Sequence, residues 1–255
     1  MITTVQNKQI KQIKKIEKSA RERRKSGQFV VEGIRMFEEI PTSLYQKTFV
    51  TEHFYEEHKD LINGDYDIVS DEVMKDMSDT QTPQGVLSLV RCPVYTLEDV
   101  ISQKEKNLLF LENLQDPGNL GTILRTGEGA GIGGIIMTKE TVDIFNPKVI
   151  RSTMGSIFRV PFVYIEDTME VVKRLKEEKI TLYAAHLDGA DFTKEPFETQ
   201  SCFLIGNEGN GLTDELSKNA DKRIRIPMDG KVESLNAAMA SGLLMYEARR
   251  QRKER

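Results

Sequence analysis

The chain has 255 residues, 38% of them hydrophobic and 30% charged, with a formal net charge of −4; that composition fits one large or two small hydrated globular domains. No apolar run approaches the roughly 18 residues that a bilayer-spanning helix needs, and the start is polar and lysine-rich rather than signal-like, so a cytoplasmic protein without a membrane partner is expected. Cys92 and Cys202, like His53, His58 and His186, are scattered without metal-ligand or disulfide spacing, and no metal is expected.

Charge is unevenly spread. Residues 1–27 hold nine Lys or Arg against two Glu, and the tail from Glu247 holds five against two. Basic ends on an acidic body fit a polyanionic partner, although a solvated charged helix fits the same count.

Taken in order, residues 8–25 place Ile10, Ile13, Ile16 and Ala20 at helical spacing, with lysines around the remaining circumference. Gly27 stops that helix. A short strand follows at 29–31, a helix at 33–40, and strands at 47–50, 66–69 and 85–90, so the first ~90 residues form a small α/β unit. It contains no catalytic constellation, and its loop 79–85 is polar without paired charges. Periodicity weakens from Cys92 to Lys106. The expected division is therefore a domain over 1–95, a linker over 96–105 and a second domain over 106–255.

The second domain alternates strands (107–111, 134–138, 162–165, 181–185, 202–206, 223–227) with helices (120–130, 147–154, 169–178, 235–250). That alternation predicts an α/β fold with a mostly parallel sheet covered on both faces. In the last helix Leu235, Ala238, Met239, Gly242, Leu243 and Tyr246 share one face, and Ser234 is placed to cap it.

Three stretches carry chemistry. In Asn113–Thr126 a turn at Asp116, Pro117 and Gly118 leads into a helix that Asn119 can cap and that holds Arg125 near its middle. In Leu204–Leu212 (LIGNEGNGL) an apolar run ends in a glycine-rich polar loop containing Glu208. In Ile226–Ala238 (IPMDGKVESLNAA) a second short run ends in a second polar loop. Two such strand-to-loop turns can meet at one sheet edge, where α/β proteins bind ligands. By contrast, Gly129, Gly131, Gly133 and Gly134 satisfy GxGxxG but close a helix instead of opening one, so a dinucleotide site is not expected there.

These three blocks, in this order, resemble the motifs of the SpoU/TrmH branch of the SPOUT RNA methyltransferases, over roughly residues 105–250. The N-terminal part, with Gly27, Phe29, Glu32 and Gly33, is similar to that family's ribosomal-protein-L30e-like RNA-binding extension. The resemblance implies a C-terminal sheet threaded into a deep trefoil knot, S-adenosyl-L-methionine as cofactor, ribose 2′-hydroxyl methylation in structured RNA (rRNA more than tRNA), and a homodimer formed through the C-terminal domain. Carried over residue by residue, it places the cofactor against Ala184 (with Ala185 at the same strand end), Ile205, Gly206, Ile226, Met228, Ser234, Leu235 and Asn236. Arg125, Asn119 and Glu208 become the catalytic set. A guanidinium whose pKa lies above about 12 stays charged, so Arg125 is expected to grip a phosphate and stabilise charge on the 2′-oxygen, oriented by Asn119 and Glu208. A tRNA methyltransferase of the same family and a non-catalytic RNA-binding protein of the same fold are the alternatives.

Overall fold

The computed structural model describes residues 1–103, 106–197 and 200–254; the last two residues of the expected linker, 104 and 105, lie outside them. The chain forms two compact units, one comprising Met1–Pro93 with Asp143–Phe158, the other Val94–Val142 with Arg159–Arg255.

The first unit opens with α1 (Lys8–Lys18) and α2 (Ala20–Ser26). The sequence predicts one helix here, but Ser19 is extended and its hydroxyl accepts from the Glu22 amide, so a cap former breaks the helix although the apolar period runs on. Gly27 ends α2 at φ 64°. The chain continues through β1 (Gln28–Glu32), α3 (Ile34–Glu38), β2 (Tyr45–Thr51), α4 (Glu52–His58), β3 (Tyr66–Val69), α5 (Asp71–Met77) and β4 (Val86–Arg91). The strands form a mixed sheet of order β1-β4-β2-β3. Ile10, Ile13 and Ile16 of α1 pack with Phe49, Val73 and Leu87 in its core.

The second unit begins with α6 (Leu97–Ile101), β5 (Leu108–Leu111), α7 (Pro117–Ala130) and β6 (Gly134–Thr138). The chain then passes through α8 (Pro147–Thr153), which lies in the segment that groups with the first unit. There Phe145 and Phe158 pack against Phe29 with tilted rings, at 4.9 and 6.1 Å between ring centroids. Buried Arg23 reaches Asp143 at 2.7 Å and donates to the Ile16 and Glu17 carbonyls at the end of α1. The second unit resumes with β7 (Phe162–Ile165), α9 (Thr168–Glu177), β8 (Thr181–Asp191), β9 (Ser201–Ile205), α10 (Asp214–Asn219), β10 (Lys222–Arg225) and α11 (Ala237–Lys253).

Its strands form one parallel sheet of order β10-β8-β9-β5-β6-β7. Every residue of β5, β6 and β9 is buried, which is why these strands read as unbroken apolar runs rather than alternations. As expected, the GxGxxG stretch closes α7: Gly131 is its C-cap at φ 72°, and β6 starts at Gly134. The best-buried faces of α11 are Ala237, Ala238, Ser241, Leu244, Met245 and Ala248. Met239, Leu243 and Tyr246 point to solvent.

Candidate active site

In a parallel sheet the strands end together. Leu111 of β5 pairs with Ile205 of β9, and Ala184 of β8 with Leu204, so the loops after β5 and β9 start side by side. After β9 the backbone turns back on itself. Asn207 and Gly211 exchange both main-chain hydrogen bonds, at 3.0 and 2.9 Å. A Cβ on Gly206 would come within 2.0 Å of the Gly211 carbonyl carbon, so only glycine permits this crossing. The Asn207 side chain fixes the loop: its Oδ1 accepts from the amides of Gly209 and Asn210, while its Nδ2 donates to the Asn113 carbonyl across the gap to the β5 loop.

That fold presents Glu208 to the start of α7. Its carboxylate accepts from the amides of Gln115 and Asp116 and from Asn119 Nδ2, each at 3.0 Å. Partial burial works to raise its pKa. The bonds from Asn119, Asp116, Gln115 and its own amide outweigh this and hold the carboxyl below the ordinary range. The position, at the N-terminal end of a 14-residue helix, also favours the anion. Glu208 is thus an ionised anchor, occupied by donors on both oxygens.

Asn119 continues the chain of bonds, its Oδ1 accepting from Asn236 Nδ2 at 2.9 Å. Asn236 in turn caps α11 by accepting from the Ala238 and Met239 amides. Two sequence expectations are corrected here. Asp116, not Asn119, caps α7 by accepting from the Asn119 backbone amide; the cap residue precedes Pro117, and the Asn119 side chain crosses to Glu208 instead. Asn236, not Ser234, caps α11, which begins at Ala237.

A cavity of about 770 Å³ lies beside this chain of bonds, within the size range of small-molecule sites. Of the expected cofactor residues, Ile205, Gly206, Ile226, Met228, Ser234 and Leu235 line it, as does Glu208. Ala184 does not; it is fully buried in the core. The register of β10 on β8 jumps from Ala184 to Ala190, so the chain from Ala185 bulges away from the ladder and Ala185, His186, Leu187 and Asp188 line the cavity instead. Asn236, also expected to touch the cofactor, and Asn119 are not among the lining residues.

Arg125 lies on the exposed side of α7, and its guanidinium meets no hydrogen-bond or ion-pair partner among the described residues. It is six residues, about 9 Å of helix, beyond Asn119. The orienting contacts expected from Asn119 and Glu208 are therefore absent; those two side chains bind each other and Asn236. Sequence reasoning also missed Glu112, buried after β5, whose carboxylate accepts from the Thr213 amide and hydroxyl at 2.7 Å each and so ties the β5 loop to the start of α10. An acid directly after an all-apolar strand is the signal that marks it.

The lining suits S-adenosylmethionine. Ile205, Leu212, Ile226 and Leu235 offer apolar walls for a flat ring, and the close approach at Gly206 leaves loop backbone facing the space. Among the described residues no group of three or more His, Cys, Asp or Glu is placed to hold a metal, and no helix is long and apolar enough to cross a membrane.

The SpoU rRNA Methylase family model matches residues 106–246, and the MRM3-like substrate binding domain model matches residues 7–88. The chain is 32% identical over 235 residues to the 23S rRNA (guanosine(2553)-2′-O)-methyltransferase RlmP of Bacillus subtilis, covering 90% of this chain and 91% of that one. The AdoMet-bound rRNA methyltransferase of Sinorhizobium meliloti superposes with a TM-score of 0.88 at 29% identity, over 98% of this chain and 97% of that one. AviRb of Streptomyces viridochromogenes, solved with AdoMet, shares the fold at TM-score 0.88 and 24% identity, over 97% and 99%. Three motifs bonded to one another beside a single cavity, on a chain matched along nearly its whole length, identify it as a member of the SpoU rRNA methylase family, the S-adenosylmethionine-dependent RNA ribose 2′-O-methyltransferases.

Proposed function

We propose that this protein methylates a ribose 2′-hydroxyl of 23S rRNA in the cytoplasm, working as a homodimer. The observation that carries the site assignment is the unbroken run of hydrogen bonds from Asn236 through Asn119 to Glu208, which locks all three motifs around the cavity. The rRNA substrate is supported by RlmP, a relative matched over 90% of this chain.

When bound, the cofactor supplies a methyl group already made electrophilic by its sulfonium, so the protein's task is chiefly alignment, worth several kcal/mol of the barrier. Ile205, Gly206, Ile226, Met228, Ser234 and Leu235 hold the cofactor, with Ala184 supporting from the strand behind and Asn236 fixing the third loop. Glu208 and Asn119 act by holding the loops in register. Glu208 is ill-suited to proton transfer, because its carboxylate is held ionised with donors on both oxygens. Arg125, whose guanidinium has no partner among the described residues, is suited to gripping a phosphate beside the target ribose and to stabilising charge on its oxygen.

Met239, Leu243 and Tyr246 form an apolar stripe on α11, exposed by 60, 40 and 46%, and support dimerisation through that helix. Membership of the SpoU rRNA methylase family supports a C-terminal trefoil knot.

Mapping of ribose methylation in a strain lacking this protein tests the assignment. One 2′-O-methyl should vanish from 23S rRNA. Loss from tRNA would move the substrate. An unchanged methylation map, together with no calorimetric binding of S-adenosylhomocysteine, would leave a non-catalytic RNA binder.

A further inference from the structure

We infer that the outer face of α1 is a rail for the phosphate backbone of the RNA substrate, an inference that rests on the chain's being an RNA methyltransferase. Lys8, Lys11, Lys15 and Lys18 are all exposed. Their spacing of three, four and three residues puts them within an arc of about 80° along about 15 Å of helix. None of the four forms an ion pair among the described residues, Lys18 acting only through space on the buried Glu17 carboxyl; the paired cations of this region are Lys14, with Asp76 at 2.6 Å, and Arg23, with Asp143. Three more exposed cations, Arg21, Arg24 and Lys25, follow on α2.

The first half of this arrangement works against the helix that carries it, although Lys15 and Lys18 lie in the last turn, where the dipole favours cations. No acid stands in the first turn of α1, and Lys8 and Lys11 lie where the helix dipole is positive. Lys11 and Lys15 repel as an i,i+4 pair. A solvated helix kept for its own stability looks different, and α9 is the control within the same chain. There Lys173 meets Glu177, Arg174 meets Glu98 and Glu178, and Lys176 meets Asp221. The unanswered row on α1 is a charge pattern whose compensation must come from outside.

The chemistry of the face selects among polyanions. Its other exposed residues are Gln9 and Gln12, with no aromatic ring to stack on a base. The rail therefore positions RNA without reading its sequence. A membrane surface fits poorly, because Ile10, Ile13 and Ile16 are spent in the protein core and leave no apolar face to enter lipid.

The test compares wild type with the fourfold variant K8Q/K11Q/K15Q/K18Q, binding a 23S rRNA transcript at 50 to 200 mM KCl. Neutralising four phosphate contacts should lower the slope of log affinity against log salt by about 3. The wild-type enzyme should thus lose roughly 50-fold more affinity across that range than the variant. S-adenosylhomocysteine binding should be unchanged, KM for RNA should rise and kcat should hold. The melting temperature should change little, since the repulsion removed offsets the dipole interactions of Lys15 and Lys18 that are lost with it. Equal salt slopes for the two proteins overturn the rail while leaving the methyltransferase assignment standing. So does wild-type binding to phosphatidylglycerol vesicles that the variant loses while its RNA slope stays unchanged. A wild type that neither binds nor methylates the transcript overturns the assignment itself.

Discussion

Glu208 in the second unit and Glu17 in the first have carboxyl groups displaced to opposite sides of the ordinary range. Glu208 sits on an exposed loop and collects donors from Asn119, Asp116, Gln115 and its own amide, which hold it ionised despite partial desolvation. Glu17 is 6% exposed, and no hydrogen bond reaches its carboxyl group among the described residues. Burial, then Asp79 and Glu32, push it up to about 7, against the pull of Lys18 and Arg151. The two glutamates show that donors, rather than residue type, decide whether a carboxyl group is a fixed charge. Where the chain builds a site, it supplies them. Where α1 merely turns an acid inward, it does not.

Removing the loop that carries Glu208 should have the largest effect. In Gly206→Ala the new methyl meets Gly211 and Leu212 main chain, which cannot swing aside as a side chain can. The crossing must open, and S-adenosylmethionine affinity should fall more than 100-fold by calorimetry, on the order of 3 kcal/mol or more. A variant that binds within threefold of wild type would show that the crossing does not shape the cavity.

Next comes the cation that Glu208 does not hold. Arg125→Lys keeps the charge and loses the planar fork, so kcat should drop on the order of 10²-fold with cofactor affinity unchanged. Near-normal turnover would mean that a point charge suffices. Glu208→Gln should cost less, on the order of tenfold in kcat/KM, because one carboxylate oxygen becomes an amide NH₂ facing a backbone donor while the shape survives. A rate that instead collapsed with a new pH dependence would restore Glu208 to a role in proton transfer.

How far this site was legible in the sequence depends on where each residue's partner lies. Strands β5, β6 and β9 were plain because burial on both faces leaves an apolar run. The convergence of the loops after Ile205 and Ile226 followed from strand ends in a parallel sheet. Ser234 and Asn236 are both good cap residues two positions apart, and only the start of α11 at Ala237 chooses between them. That Ala185 lines the cavity while its expected companion Ala184 does not depends on a register jump between β8 and β10, which no local pattern encodes. The allegiance of residues 143–158 to the first unit rests on Arg23 meeting Asp143 and Phe29 meeting Phe145, pairs more than a hundred residues apart. A truncation of residues 1–95 would uncover Phe145 and Phe158, so substitutions on α1 probe RNA binding more cleanly.

Glu17→Gln should change catalysis least, and it isolates the other half of the pair. The folded-state pKa of Glu17 lies above its unfolded value, about 7 against 4.5, so the fold favours the protonated form. Its stabilising contribution is complete below the unfolded value and is lost as pH rises through about 7. By pH 8 the loss relative to pH 4 approaches roughly 3 kcal/mol. Glutamine mimics the protonated acid at every pH. Urea midpoints of wild type and variant should therefore nearly coincide at pH 4.5 and separate at pH 8, with the variant the more stable by about 2 to 3 kcal/mol. Glu208 runs the opposite way: its depressed pKa stabilises above the unfolded value and is lost as pH falls below it, so the two acids leave a window between them. A difference in midpoint that is the same at both pH values would mean that Glu17 stays ionised in the fold, with the Arg151 and Lys18 charges outweighing its burial.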